Sequence, residues 1–130
     1  MAISAQTGET SAPRDRVFIS RVDQTEQRYV ELRPADFDAG HDHHLLIALH
    51  GHGSDRWQCI NSEYVEFAAA RDVAAKHDMV YVSPDYRATT SWMGPAAEAD
   101  LLQIIDELAD RYRVGKVFLT GAPRWAGRRC

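Results

Sequence analysis

A short loop of glycine and histidine is the stretch of the sequence best suited to chemistry: His50, Gly51, His52 and Gly53. Glycines let the backbone turn sharply and bring its N–H groups close to a ligand. Fixed N–H donors of this kind can stabilise a developing oxyanion, although a plain strand-to-helix turn explains such a loop equally well. Two other interpretations fail. Arg56 replaces the third glycine of a dinucleotide-binding fingerprint, and no Gly-Lys-Ser/Thr of a phosphate-binding loop follows.

The histidines form a second group with chemical potential. Imidazoles that lie close together can bind zinc, and five of the six histidines fall between positions 41 and 52. Their spacing matches no zinc-binding pattern. We therefore predict no metal site among these five, which are His41, His43, His44, His50 and His52.

A third candidate is the pair Trp92 and Met93, which follows the second apolar strand of the sequence. An aromatic side chain in a loop at the carboxyl end of a sheet can form the wall of a substrate pocket. Packing beneath the helix that follows is an equally good interpretation, and the sequence does not separate the two.

Composition limits the classes of function. The 130 residues are enough for one domain, and a net charge of −4 offers no basic patch for nucleic acid. No apolar run is long enough to span a membrane, and the N-terminus lacks the features of a secretory signal. Cys59 and Cys130 belong to no motif, so they are expected to be unpaired thiols in a reducing compartment. These observations favour a cytoplasmic protein.

The elements that would position these residues begin with a hairpin. Residues 1–15 have no periodicity and predict a loose tail. The segments Arg16–Arg21 and Gln27–Arg33 are short and alternating, which predicts a half-buried antiparallel pair ended by Pro34. In the second segment Tyr29, Glu31 and Arg33 should share one face, and Val30 and Leu32 the other.

Apolar strands then alternate with helices. His44–Leu49, Met79–Val82 and Val117–Leu119 lack alternation and are typical of parallel strands covered on both faces. Helices are predicted over Ser62–His77 and from Pro95 to Gly115, the glycine supplying the stop. The order is an α/β sheet with an antiparallel hairpin followed by parallel β-α-β-α-β. The inner stripe of the second helix should be Leu101, Ile104, Ile105, Leu108 and Tyr112, and that of the first Val65, Ala69 and Val73 with Phe67, Ala70 and Ala74.

These motifs, in this order, resemble the N-terminal half of α/β-hydrolases, in particular their esterase, depolymerase and prolyl-oligopeptidase-like branches. Leu45–Ser54 is similar to the third strand and oxyanion loop of that superfamily, Asp78–Arg87 to the fourth strand and its exit, and Lys116–Gly121 to the fifth strand entering the nucleophile elbow. The resemblance covers residues 16–121. It implies that the N–H of His52, aided by Gly53, is one oxyanion donor, and it implies no metal or organic cofactor.

The sequence departs from this superfamily at the elbow. Pro123 stands where Gly-x-Ser-x-Gly would have its serine, and Trp125 where it would have its second glycine. The neighbouring reading frame across Pro123–Gly127 can encode Ser-Met-Gly-Gly, and the codons of Trp125 and Ala126 force the first of those glycines. We therefore expect a frameshift near Ala122 and an aberrant tail over residues 122–130, although coincidence also explains the match.

The resemblance implies a serine hydrolase acting on small-molecule carboxylic esters, and less readily on peptides. This chain as written would be inactive, because the acid and the base follow the serine in that superfamily and none of the three is present in recognisable form. No catalytic residue is therefore assigned. A non-catalytic module that binds a small molecule is the competing class. The tail after Gly121 is too short to cover Val117–Leu119, so we also expect an exposed apolar sheet edge and self-association through it.

Overall fold

The computed structural model describes residues 12–35, 37–38, 40–50, 55–61, 65–86 and 95–121. Five strands and three helices are present in this part of the chain. In chain order they are β1 (Arg14–Ile19), β2 (Glu26–Leu32), β3 (His43–Leu49), α1 (Gln58–Asn61), α2 (Val65–Lys76), β4 (Val80–Pro84), α3 (Pro95–Arg111) and β5 (Val114–Gly121).

The strands form one mixed sheet in the order β1-β2-β4-β3-β5. β1 and β2 are the predicted antiparallel hairpin, and β2 also pairs antiparallel with β4. β3 lies between β4 and β5 and is parallel to both. The predicted fold class, a hairpin followed by parallel strands that alternate with helices, is therefore confirmed.

A separate apolar core covers each face of the sheet. α3 packs on one face, and α1 with α2 packs on the other. Each strand contributes to both cores, because successive strand residues point to opposite sides. The α3 core includes Phe18, Tyr29, Leu45, Ile47, Leu49, Val80, Val82, Tyr86, Ala97, Leu101, Ile104, Leu108 and Tyr112. The opposite core includes Val30, Leu32, Leu46, Ala48, Cys59, Ile60, Phe67, Ala74, Met79 and Tyr81.

The prediction of a half-buried hairpin is wrong for β2. Because β4 pairs with its outer edge and helices cover both faces, every residue from Tyr29 to Leu32 is buried, Glu31 included. Glu31 is tolerated there because three hydrogen bonds reach its carboxylate. Arg16 Nε lies 3.1 Å and Arg33 Nε 3.0 Å from it, and the Tyr112 hydroxyl donates across 2.9 Å.

The helices correct several sequence predictions. The predicted helix from Ser62 to His77 corresponds to α2, whereas the short helix α1 precedes it and was not predicted. Ser62 itself lies outside the described residues. In α2 the buried stripe is Phe67 and Ala74, whereas Val65 is 74% and Val73 46% exposed, since only one of the two possible stripes faces the sheet. The inner stripe of α3 is confirmed. Within the described ranges no helix is long and apolar enough to cross a membrane.

Gly115 does not stop α3 as predicted, because the helix ends at Arg111 and Gly115 is already in β5. The β3–β5 ladder is irregular there: His43 pairs with Val114 but Leu45 with Val117. The ring of His44 compensates, since its Nδ1 accepts a hydrogen bond from the N–H of Lys116 at 2.8 Å. A Cβ on Gly115 would lie only 2.6 Å from that Nδ1.

β5 has the exposed apolar surface that the sequence predicts. Val117 is 38%, Phe118 44% and Leu119 61% exposed, although all three lie in the strand that pairs with β3. In parallel register Val117 and Leu119 lie beside Leu45 and Ile47, and Phe118 lies beside Leu46. The apolar exposure therefore occurs on both faces of the sheet, at its β5 edge.

Candidate functional site

The candidate site lies where β3 and β4 end. Parallel strands have their carboxyl ends at the same edge of a sheet, which is where α/β proteins bind ligands. His50 follows β3 directly, and Asp85 and Tyr86 follow β4. Five residues of the predicted site, Gly51, His52, Gly53, Trp92 and Met93, lie outside the described residues. The surroundings of the predicted oxyanion loop are therefore visible through His50 and through Asp55–Trp57.

His50 is held through both its side chain and its backbone carbonyl. Its side chain is buried, and its Nε2 lies 2.9 Å from the carbonyl oxygen of Asp85. A carbonyl can only accept, so the proton of this bond is on Nε2. The hydroxyl of Tyr86 donates to the carbonyl oxygen of His50 at 2.6 Å, and the two rings lie 4.5 Å apart. His50 is thus a fixed structural residue at the start of the loop.

Tyr86 is suited to donate in this position. Burial raises the pKa of its hydroxyl to about 12, and the nearby Cys59 acts in the same direction. The hydroxyl therefore keeps its proton throughout the neutral range. A hydrogen bond from a buried donor is electrostatically stronger than one in water, so it helps to fix the direction of the His50 carbonyl.

Arg56 closes the far side of the loop against the same strand end. Its backbone N–H donates to Asp85 Oδ1 at 3.0 Å, and its Nη1 donates to Asp85 Oδ2 at 3.1 Å. Its Nε and Nη2 donate to the carboxylate of Asp15 at 2.8 and 3.1 Å. The Ser83 hydroxyl donates to the Arg56 carbonyl at 2.5 Å. Arg56 therefore connects the loop to β4 and to β1.

Sequence reasoning missed this group of residues. The sequence places Asp85 and Tyr86 at the exit of a strand, and it gives Arg56 no role beyond replacing the glycine of a dinucleotide-binding fingerprint. One signal was available: polar residues, Ser83 and Asp85, directly follow a buried strand at the edge where ligands bind. The pairing of Arg56 with Asp85 could not be deduced, because the two residues are 29 positions apart in the sequence.

His43, His44 and His50 each bond to a different part of the backbone. Among the described residues no group of three or more His, Cys, Asp or Glu side chains could hold an ion. His43 is buried at the other end of β3, where Nδ1 lies 2.9 Å from the Asp78 carbonyl oxygen and Nε2 2.8 Å from that of Asp38. His44 bonds to Lys116. His52 lies outside the described residues.

Solved structures of other proteins have a fold similar to that of this chain. No protein-family model and no curated protein matches the chain. A ferulic acid esterase from Anaeromyces mucronatus, solved with ferulic acid, superimposes with a TM-score of 0.68 at 18% identity, over 91% of this chain and 51% of the other. An S-formylglutathione hydrolase from Staphylococcus aureus gives 0.60 at 15% identity, over 85% and 46%. A thermostable esterase gives 0.65 at 21%, over 84% and 33%.

These similarities establish the fold. The chain has a partial α/β-hydrolase core, as its resemblance in sequence implied, and its structural relatives include esterases. It spans about half of the length of the ferulic acid esterase and of the S-formylglutathione hydrolase, and a third of the thermostable esterase.

Proposed function

We propose that this chain is the N-terminal part of a serine hydrolase that cleaves carboxylic esters, and that it supplies the oxyanion loop of that enzyme. The observation that carries the proposal is the arrangement at the ends of β3 and β4. A loop of the sequence His-Gly-His-Gly begins at His50, which Asp85 and Tyr86 hold at the ligand-binding edge of an esterase-like sheet.

The reaction assigns a limited role to these residues. In a serine hydrolase, serine attacks the ester carbonyl, histidine takes and returns the proton, an acid orients the histidine, and two N–H groups bind the oxyanion. By its resemblance to the superfamily, the N–H of His52, aided by Gly53, is one of those donors. No residue of this chain is assigned to the triad.

The described serines and histidines support that restriction. Ser83 is buried and its hydroxyl donates to the carbonyl of Arg56, while Ser20 donates to Asp100 at 2.6 Å. Both ring nitrogens of His43 contact backbone carbonyl oxygens, at the end of β3 opposite the site. The contacts of these side chains are structural, and none of them forms a nucleophile–base pair.

The first experiment tests the chain as written. We expect no stoichiometric covalent labelling by a fluorophosphonate and no hydrolysis of p-nitrophenyl acetate above a denatured control, because no residue of this chain is assigned as the nucleophile. Labelling at any of Ser54, Ser62, Ser83 or Ser91 would show that this chain has a nucleophile of its own.

The second experiment tests the assignment to an ester hydrolase. The gene would be sequenced beyond the codon for Gly121, and the product of the neighbouring frame expressed. We expect that product to contain a serine within Gly-x-Ser-x-Gly, to react with the fluorophosphonate there, and to hydrolyse esters faster than peptides. An immediate stop codon in that frame, or a residue other than serine, contradicts the frameshift.

A non-catalytic binding module is the second candidate, and the same engaged serines favour it. Such a module would bind a small ester or aromatic acid without converting it. The ferulic acid in the fungal esterase structure supplies a probe. Saturable binding of ferulate to the chain as written, combined with no reading frame that restores a serine, would favour this module over the hydrolase.

A further inference from the structure

We infer that Asp85 and Tyr86 are positioning residues for the oxyanion loop, because this one dipeptide holds the chain at both ends of the loop. The inference rests on the proposed function for the role of the loop. Its structural basis is four hydrogen bonds between the exit of β4 and residues His50 and Arg56.

The first end is held at His50. Tyr86 donates from its hydroxyl to the His50 carbonyl, and the His50 ring donates back to the Asp85 carbonyl. The carbonyl of His50 belongs to the peptide bond that begins the loop, and a peptide bond is planar. A bond to that oxygen therefore limits rotation of the first peptide group of the loop as well as of the histidine.

The second end is held at Arg56, six positions after His50. Both carboxylate oxygens of Asp85 accept from Arg56, one from its backbone N–H and one from its guanidinium. The bond to the backbone is the important one for the loop, because it fixes the main chain itself. Asp85 is in turn fixed to the sheet, since its own N–H donates to the Arg28 carbonyl in β2 at 3.0 Å.

Holding both ends from one dipeptide has a chemical purpose. Oxyanion donors are effective when they are already oriented before charge develops, so that no reorganisation is needed during the reaction. Donors on a loop require support from residues around them to reach that precision. Asp85 and Tyr86 can give this support without contacting substrate, and a disturbance at one end of the loop should therefore be felt at the other.

Asp15 offers a matched control. It accepts two hydrogen bonds from the same guanidinium of Arg56, at 2.8 and 3.1 Å. It makes no described bond to the backbone at either end of the loop. Removing Asp15 thus deletes two hydrogen bonds of the Arg56 guanidinium but keeps the bond from the Arg56 backbone N–H to Asp85. The comparison separates the positioning of the loop from the general effect of losing an ion pair.

The test is residue-resolved amide hydrogen exchange on the full chain, comparing Tyr86→Phe, Asp85→Ala, Asp85→Asn and Asp15→Ala. Tyr86→Phe loses one hydroxyl at His50, and we expect it to accelerate exchange at the Arg56 N–H about threefold or more, although the described hydrogen bond of Tyr86 is to His50 and not to Arg56. Asp85→Ala should accelerate that amide about tenfold, which corresponds to roughly 1.4 kcal/mol of lost protection. Asp85→Asn keeps an acceptor and should restore most of the protection. Asp15→Ala should change it less than about twofold.

Two results would overturn the inference. One is an Arg56 amide that exchanges at the wild-type rate in Tyr86→Phe, which would show that the two ends are independent. The other is equal acceleration at amides of α3, which would show that the whole chain has loosened. Neither result depends on catalysis, so failure of the anchors is distinguishable from failure of the proposed function, which the labelling experiments decide. If Asp85→Ala does not fold, Tyr86→Phe alone decides the question.

Discussion

Close packing at single residues restricts what this sequence can tolerate, and Gly115 beside the His44 ring is an example. A Cβ at position 115 would lie 2.6 Å from His44 Nδ1 and 2.8 Å from Cε1. The ring cannot move away without losing the bond from Lys116 and its edge-on contact with Phe118.

We therefore expect Gly115→Ala to lower the free energy of unfolding by about 1–3 kcal/mol, the usual cost of forcing an extra group into a packed site. Urea denaturation measures it. Gly40→Ala is the control, because its Cβ would meet only the exposed side chain of Asp38, at 3.2 Å. In a His44→Ala background the cost of Gly115→Ala should largely disappear. Equal costs in both backgrounds would show that the ring is not the obstacle.

A second prediction concerns Cys59. Burial, opposed in part by a hydrogen bond with Ser83 and by Arg71, raises the pKa of this thiol to about 12. Because the thiolate is the reactive form, we expect iodoacetamide at pH 8 to modify Cys59 at least about a hundredfold more slowly in the native chain than in guanidinium chloride. Peptide mass spectrometry follows the residue directly. Similar rates in both conditions would mean that Cys59 is accessible in solution.

At the scale of elements, the buried carboxylate of Glu31 joins three parts of the fold. It accepts from Arg16 on β1, from Arg33 after β2, and from Tyr112 at the end of α3. Burial alone would raise the pKa of Glu31, but these hydrogen bonds outweigh it and hold that pKa below 4.5. A depressed pKa contributes stability at pH values above 4.5, and this contribution is lost as the pH falls through the lowered value.

We expect Glu31→Gln to destabilise the chain at pH 7 by about 2 kcal/mol, since it weakens the hydrogen bonds from the half-buried guanidinium groups of Arg16 and Arg33 to a charged carboxylate. The loss of stability between pH 5 and pH 3 should then be smaller than in the wild type. Thermal unfolding over that pH range measures both effects. Asp106→Asn is the control, because Asp106 pairs with Arg21 at the exposed surface. An acid profile of Glu31→Gln that parallels the wild type would contradict the assignment.

The order and type of the elements were predictable from sequence, because hydrophobic periodicity reports which faces are covered. The predictions that were wrong concerned features that depend on partners distant in the sequence. Nothing local in β2 indicates that β4 will pair with its outer edge and bury Glu31. Nothing local in α2 indicates that Phe67 faces the sheet while Val65 does not. The Arg56–Asp85 anchor follows the same rule, because its two residues are 29 positions apart in the sequence.

At the scale of the whole molecule, the described part of the chain has three successive exposed apolar side chains, Val117–Leu119, at its β5 edge. An unprotected apolar strand edge is a template for pairing with another chain. We expect the chain to self-associate through Val117–Leu119, and Leu119→Lys to shift sedimentation velocity profiles towards the monomer, because a charged residue discourages edge pairing. Leu102→Lys is the control: Leu102 is 59% and Leu119 61% exposed, but Leu102 lies on α3. Equal effects of the two changes would show that association follows general hydrophobicity and not the edge.

The sheet order also determines how this protein can assemble during its synthesis. The strand β3 pairs with β4 and β5, and both come later in the chain. The β1–β2 hairpin can form as soon as it leaves the ribosome, but β3 must wait for residues 80–84 and then for residues 114–121. Nascent chains expose apolar surface while such distant partners are missing. The interval between the emergence of β3 and that of β5 is therefore when this polypeptide most needs a chaperone.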